Sequence, residues 1–210
     1  MDKKTKVLRI ISIFDKLYPG AACSLIFENP LQLLISTILA AQCTDARVNL
    51  VAEKLYNKYK TAEDFAESNL KELEDNIRST GFYHNKARNI KLTCKILMDE
   101  FNSVVPDNIE DLLKLPGVGR KTANLILGDI YGVPSVVVDT HAKRLSNRIG
   151  FTNSGDPKRI EFDLMKIVPK EKWTSFCHQL VFHGRAVCAA RVPKCNICEI
   201  SLYCNYMDNK

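Results

Sequence analysis

The chain has 210 residues, 46% hydrophobic and 26% charged, with 9 Gly, 8 Pro and 8 Cys, values that exclude disordered, collagen-like and disulfide-scaffold classes. A chain of this length buries roughly 70% of its unfolded surface without covalent staples, as one domain or two small ones. Thirty basic against 24 acidic residues leave a net +6, a mild excess that favours polyanionic partners and matters mainly by where it sits.

The basic start, Met1 to Lys6, leads into an apolar run, and Gly20-Ala21-Ala22-Cys23 faintly imitates a lipoprotein cleavage site. Arg9, Asp15 and Lys16 interrupt that run, so Leu8, Ile11 and Leu17 read as a helical stripe and not as an export signal. The longest apolar run, Leu33 to Ala41, falls short of the roughly 20 residues that span a bilayer. The expectation is a soluble, cytoplasmic protein with no membrane partner.

Helical periodicity dominates the rest of the chain. Leu31, Leu34, Ile35, Ile38 and Leu39 make one broad stripe, and Val48, Val51, Leu55 and Tyr56 make the next. Thr61-Ala62-Glu63-Asp64 and Ser68 to Glu72 carry helix-start chemistry, and Gly81 closes the segment holding Leu70, Leu73 and Ile77. Ala87 to Phe101 continues the pattern with Ile90, Cys94 and Leu97, and Asn108 caps a brief helix through Lys114. Ser135 to Val138 is the one extended-looking run, too short for a sheet. The expected fold is all-α, and composition alone locates no domain boundary.

Leu112 to Ala123 places Gly117 and Gly119 between an apolar segment and a helix containing Leu125, Ile126 and Leu127. Glycines there permit a sharp turn and leave backbone N–H groups bare at a helix start, where the dipole is positive. That is a phosphate seat; a helix-to-helix turn with no ligand is the plainer reading. A nucleotide P-loop is excluded, because Arg120 and not glycine precedes Lys121. Basic residues gather in this region: Lys114, Arg120, Lys121, Lys143, Arg144 and Arg148 stand against Asp129 and Asp139 between Lys114 and Gly150. Arg185, Arg191 and Lys194 stand with no acid between Gly184 and Lys194. A backbone-binding surface accounts for both patches, as does a solvated basic face.

Of the eight cysteines, Cys23, Cys43, Cys94 and Cys177 are scattered, while Cys188, Cys195, Cys198 and Cys204 crowd the end of the chain. Four thiolates in one compact loop suit a tetrahedral zinc and a four-iron cluster equally well by spacing. Either would fix the loop carrying Arg191 and Lys194. Lys121 stands in the first turn of a helix, a position that disfavours a cation and so favours the neutral amine a Schiff-base nucleophile requires. An ordinary phosphate-binding lysine would sit there too. Asp139, after Val136-Val137-Val138 and before Thr140-His141, is a natural N-cap that could also stabilise a sugar cation. His141, His178 and His183 lack metal-site spacing.

Leu115-Pro-Gly-Val-Gly-Arg-Lys-Thr-Ala123, Val138-Asp-Thr-His141, Phe182-His-Gly-Arg185 and the four-cysteine spacing together resemble the endonuclease III family of helix-hairpin-helix DNA glycosylases, over nearly the whole chain. The resemblance implies a [4Fe-4S] cluster on Cys188, Cys195, Cys198 and Cys204. It implies a six-helix domain at about 22–132 and a second domain combining 1–21 with 133–210. It also implies base flipping from damaged double-stranded DNA into a pocket between those domains. By motif position Gln42 is the gap-filling residue and Phe82 the opposing wedge, where leucine is common in the family. A helix-surface amide and a core aromatic are the plainer roles.

The implied chemistry is removal of an oxidised pyrimidine by attack of Lys121 on C1′, assisted by Asp139, followed by β-elimination on the 3′ side. Gly117, Gly119, Arg120, His141, Lys143, Arg144, Arg185, Arg191 and Lys194 would contact the DNA backbone. Neither Mg²⁺ nor a nucleotide cofactor is required, and a monomer is expected. The alternatives are a mismatch-specific glycosylase of the same superfamily and a noncatalytic, metal-stabilised DNA-binding protein. Lys121 argues against the adenine-specific type, as does a chain that ends six residues after Cys204.

Overall fold

The structure is a computed structural model that describes residues 1–208, and among these every regular element is helical. In chain order the helices are α1 (Lys3–Leu17), α2 (Pro30–Leu39), α3 (Asp45–Lys58), α4 (Ala62–Glu67), α5 (Leu70–Ile77) and α6 (Tyr83–Phe101). They continue with α7 (Ile109–Leu112), α8 (Arg120–Asp129), α9 (Thr140–Ile149), α10 (Pro157–Met165), α11 (Trp173–Ala186) and α12 (Asn205–Asp208). The chain divides into two compact units, Cys23–Gly132 and Met1–Ala22 joined with Val133–Lys210.

In the unit Cys23–Gly132, α2 is buried on every face, with Leu33, Leu34, Ile35, Ile38 and Leu39 in the core. It packs against α3, α6 and α8. Its polar side chains are satisfied locally: Thr37 Oγ1 donates to the Leu34 carbonyl at 2.7 Å, and Ser36 shares a 2.6 Å hydrogen bond with Tyr56. Helix starts here are set by side-chain caps. Asn29 accepts from Gln32 N–H, Thr44 from Arg47 N–H, Asn69 from Glu72 N–H and Asn108 from Asp111 N–H. Thr61 and Asp64 form a reciprocal capping box at α4. Such caps each contribute on the order of 1 kcal/mol, which matters most for helices as short as α4 and α7.

Two boundaries differ from the sequence expectation. Helix α6 begins at Tyr83 and not at Ala87, because Phe82 takes a left-handed conformation (φ 49°) and turns the chain directly into the helix. Helix α7 stops at Leu112 and not at Lys114, as successive tight turns from Leu112 lead into Pro116.

In the other unit, α1 buries Val7, Ile10, Ile11 and Phe14. The face is rotated from the stripe expected: Leu8 and Leu17 are 52% and 37% exposed. Phe14 fixes that rotation by packing edge-on to Tyr18 and against Phe176 of α11. Ser135 to Val138 forms no strand, and Val136, Val137 and Val138 are all buried. They lead into α9, which packs on α11 and α12. No helix of the described residues is long and apolar enough to cross a membrane.

Candidate functional site

The glycine hairpin lies in the unit Cys23–Gly132. Its turn is closed by Val118 N–H donating to the Leu115 carbonyl at 3.0 Å, and is held to α6 by Thr93 Oγ1 donating to the Pro116 carbonyl at 2.9 Å. Gly117 has φ +82°, and a Cβ there would come within 3.0 Å of the Asn89 side chain. The positive φ is what favours glycine here. Gly119 is the N-cap of α8 and supplies no side-chain acceptor, so no cap side chain covers the first-turn amides. Gly117, Gly119 and Lys121 are exposed and Arg120 is half-buried. A helix start without a side-chain cap favours anions through its dipole, and this one carries Arg120 and Lys121 in its first turn.

The surroundings of Lys121 include groups that the sequence did not single out. Burial pushes the Cys23 thiol up to about 11, reinforced by the Asp129 and Asp45 carboxylates and opposed by the Lys121 ammonium. Lys121 therefore shares a neighbourhood with the Asp129 and Asp45 carboxylates and the Cys23 thiol. Asp45 also accepts a 2.5 Å hydrogen bond from Ser24 Oγ.

In the same unit, Gln42 and Phe82 are exposed, Phe82 by 63%. They are non-glycine residues with positive φ, 54° and 49°. Exposure removes the core-packing role from Phe82. A large apolar ring held outward on a strained backbone is uncommon without a use.

Asp139 lies in the other unit, half-buried at the N-cap of α9, where Oδ1 accepts from Ala142 N–H at 2.7 Å. In the first turn of that helix, His141 is half-buried. Desolvation depresses its pKa below the ordinary histidine value, as do the cations of Arg144 and Arg185, while Asp139 pulls the other way. A Cβ on Gly184 of α11 would come within 2.6 Å of His141 Nδ1, so the absence of that atom lets α9 and α11 approach.

The basic residues of this unit divide by what they touch. Arg144 donates to the Gly184 carbonyl at 3.0 Å and to the Cys188 carbonyl at 3.0 and 3.1 Å, and sits 3.1 Å from His141 Nδ1. Its geometry is that of a clamp on the start of the cysteine loop. Lys143 donates to the Gly155 carbonyl and remains exposed, as do Arg185, Arg191 and Lys194.

Cys188, Cys195, Cys198 and Cys204 line one pocket, with Leu145, Ile149, Val187, Pro193 and Ile200 as apolar walls. All four are free thiols. Burial pushes the Cys198 thiol up to about 11 and raises that of Cys204, and the neighbouring cluster cysteines add to both. Among the described residues no group of three His, Cys, Asp or Glu side chains is placed to hold a single metal ion.

Two residues that the sequence did not link to the cysteines face the sulfurs. Arg148 donates to Cys188 Sγ at 3.2 Å and to the Ala189 and Ala190 carbonyls at 2.8 and 2.7 Å, with its guanidinium over the Tyr206 ring. His183 is fully buried, 3.0 Å from Tyr18 Oη through Nδ1 and 3.5 Å from Cys198 Sγ through Nε2. Desolvation lowers its pKa to about 4. Donors aimed at sulfur stabilise thiolate ligands, so the residues present fit a four-thiolate cluster. The i, i+4 spacing of Arg144 and Arg148 on one face of α9 was the available signal.

Residues 35–170 match the family of HhH-GPD superfamily base excision DNA repair proteins. An endonuclease III of Synechocystis sp. is 50% identical over 203 residues, covering 96% of this chain and 93% of that protein. A solved trapped endonuclease III–DNA covalent intermediate, an estranged-adenine complex, is 44% identical with a TM-score of 0.94, covering 100% of this chain and 99% of that one. A non-covalent endonuclease III–DNA complex is 44% identical with a TM-score of 0.95, covering 100% and 98%. With matches of this breadth over its full length, the chain belongs to the endonuclease III family of the HhH-GPD superfamily of base excision DNA repair proteins.

Proposed function

We propose that this protein is a bifunctional DNA glycosylase and abasic-site lyase that excises oxidised pyrimidines from duplex DNA. The observation that carries the reading is the exposed Lys121 amine in the first turn of the uncapped α8, directly after a two-glycine hairpin. The hairpin amides of Gly117 and Gly119, with Arg120, hold a backbone phosphate. Arg185, Arg191, Lys194 and Lys143 add counter-charge along the strand, and His141 contributes a backbone contact. Gln42 fills the gap left by the extruded nucleotide and Phe82 wedges the opposite side. Arg144 acts indirectly, by fixing the loop that carries Arg191.

Lys121 Nζ, neutral at the moment of attack, bonds to C1′ of the damaged nucleotide as the bond from C1′ to the base breaks and the base leaves with a proton. The Asp139 carboxylate offsets the positive charge that develops on the sugar and assists loss of the lysine proton. Ring opening gives an imine between Lys121 and C1′. The imine acidifies the C2′ protons, one of which is removed as the bond from C3′ to its phosphate oxygen breaks. Water then cleaves the imine and returns the amine.

Cys188, Cys195, Cys198 and Cys204 would hold a [4Fe-4S] cluster, with Arg148 donating toward its ligands and His183 beside Cys198. When bound, the cluster supplies a cross-link that makes the loop of Arg191 and Lys194 rigid. The four-cysteine spacing, which is that of the family's [4Fe-4S] cluster, favours it over zinc. Broad visible absorbance with stoichiometric iron and sulfide is the expected signature, and a colourless protein containing only zinc would refute it. An enzyme acting on chromosomal DNA would work in the cytoplasm, at the nucleoid.

Borohydride reduction during turnover of a duplex carrying an oxidised pyrimidine should leave a covalent protein–DNA adduct on Lys121. If Lys121→Gln still forms that adduct at the normal rate, the nucleophile is another residue. A panel of lesion duplexes run in the same assay defines the preferred base.

A further inference from the structure

Lys86 stands in the first turn of α6 and is 4% exposed. Both facts count against a lysine. A cation at the positive end of a helix is disfavoured by the dipole, and burial removes the hydration of the ammonium. Desolvation pulls its pKa below the ordinary lysine value. In place of a carboxylate, the ammonium donates to two backbone carbonyls, Leu39 O at 2.7 Å and Thr80 O at 2.8 Å.

Those two acceptors belong to the ends of two different helical segments. Leu39 is the last residue of α2, and Thr80 is the last of the short 3-10 helix Arg78–Thr80 that follows α5. Helix C-termini present unsatisfied carbonyls and partial negative charge, so a cation bridging two of them is stabilised by both dipoles. Each end opens within three residues into an exposed residue with left-handed backbone, Gln42 (φ 54°) and Phe82 (φ 49°). Neither is glycine, so each conformation costs on the order of 1 kcal/mol and persists only if its flanks are held. The Gln42 turn is closed by Cys43 N–H to the Ala40 carbonyl at 3.1 Å, and Phe82 has no side-chain cap. Lys86 is the side chain that ties both flanks to one point.

We propose that Lys86 is a positioning residue that sets the spacing between the Gln42 and Phe82 segments, and thereby the enzyme's ability to hold a duplex opened at the lesion. The inference rests on the gap-filling role proposed for Gln42 and the wedge role proposed for Phe82. It accounts for the placement of a charged group where neither the helix dipole nor core packing favours one.

The test compares two substrates that need Lys121 equally but differ in the need for duplex opening. These are a duplex carrying an oxidised pyrimidine and a single-stranded oligonucleotide with a preformed abasic site. For Lys86→Met, the single-turnover rate on duplex divided by that on single strand should fall about tenfold or more. Lys86→Arg, which keeps two N–H donors, should restore the ratio to within about threefold. A merely structural role would lower both rates together with the folded fraction and leave the ratio unchanged, which would overturn the proposal. Gln42→Ala and Phe82→Ala are run alongside. If they lower the ratio and Lys86→Met does not, the Lys86 assignment alone falls. If they too leave it intact, the gap-filling and wedge roles fall and the assignment with them.

Discussion

Helices α8 and α9 begin in opposite ways. At α9 the chain supplies its own acceptor: Asp139 takes the Ala142 N–H at 2.7 Å, and a carboxylate meets the positive end of the dipole. At α8 the cap is Gly119, which offers nothing, and the first turn carries Arg120 and Lys121. By local rules α9 is well made and α8 is badly made. The difference teaches where each helix finds its partner. The start of α9 takes an acceptor from its own cap, whereas that of α8 takes none from its cap and is the helix start proposed to receive a phosphate.

Removing the amine should have the largest effect. Lys121→Gln keeps the polarity and much of the length of the side chain but cannot form an imine, and strand cleavage should drop on the order of a thousandfold or more. Binding to a duplex containing a stable abasic analogue should change far less, since the hairpin amides remain. A variant that cleaves within about tenfold of the parent would break the contrast by making α8 a phosphate seat only.

Asp139 separates capping from chemistry. Asn is as good an N-cap as Asp, so Asp139→Asn should keep the stability of α9 while base release falls about a hundredfold through loss of the charge. Asp139→Ala should lose turnover and also about 1 kcal/mol of stability, read by denaturant unfolding. Full activity in the Asn variant would leave Asp139 as a cap alone.

Much of this contrast is legible in the residue types alone. Asp139 ahead of a helical pattern is a cap by residue type, Gly117 and Gly119 mark a turn, and Thr61 with Asp64 spells a capping box that the structure forms. Such signals are local: the residue and its partner lie within a few positions. Contacts between distant segments are not legible. Arg148 meets Cys188 Sγ 40 residues away, and Lys86 meets Leu39 O 47 residues away. Gln42 and Phe82 adopt left-handed backbone without a glycine to announce it. The buried face of α1 differs from the one expected because Leu8 and Leu17 match the helical period as well as Val7 and Phe14 do, and only packing on Phe176 selects between them. The cysteine spacing signals a metal site but does not choose its metal, since zinc and iron–sulfur sites share the same donors.

The start of α9 is also fixed by packing. An added methyl at Gly184 would approach His141 Nδ1 to 2.6 Å and Arg144 Nη2 to 3.0 Å. Gly184→Ala should therefore destabilise the protein by about 1 to 3 kcal/mol, because α9 and α11 must separate or two side chains must leave their hydrogen bonds. Unfolding midpoint is the direct readout. An unchanged midpoint would mean that His141 and Arg144 move aside at no cost, and that the cap alone defines α9.

The smallest effect should come from making α8 resemble α9. Gly119 has φ −96° and open space where a Cβ would stand, so an L side chain is admitted without strain. Gly119→Asp would supply the missing cap, and because glycine is itself a tolerable N-cap the gain should be only a few tenths of a kcal/mol. The same carboxylate would occupy the amides and place a negative charge where a phosphate is proposed to sit. Affinity for undamaged duplex should fall about tenfold, with a shallower salt dependence as one phosphate contact is lost. Gly119→Ser separates the two contributions, since its hydroxyl caps without charge and should weaken binding by less. Stability that rises with no loss of affinity in either variant would show that phosphate does not use the α8 amides, and that the open helix start serves Lys121 alone.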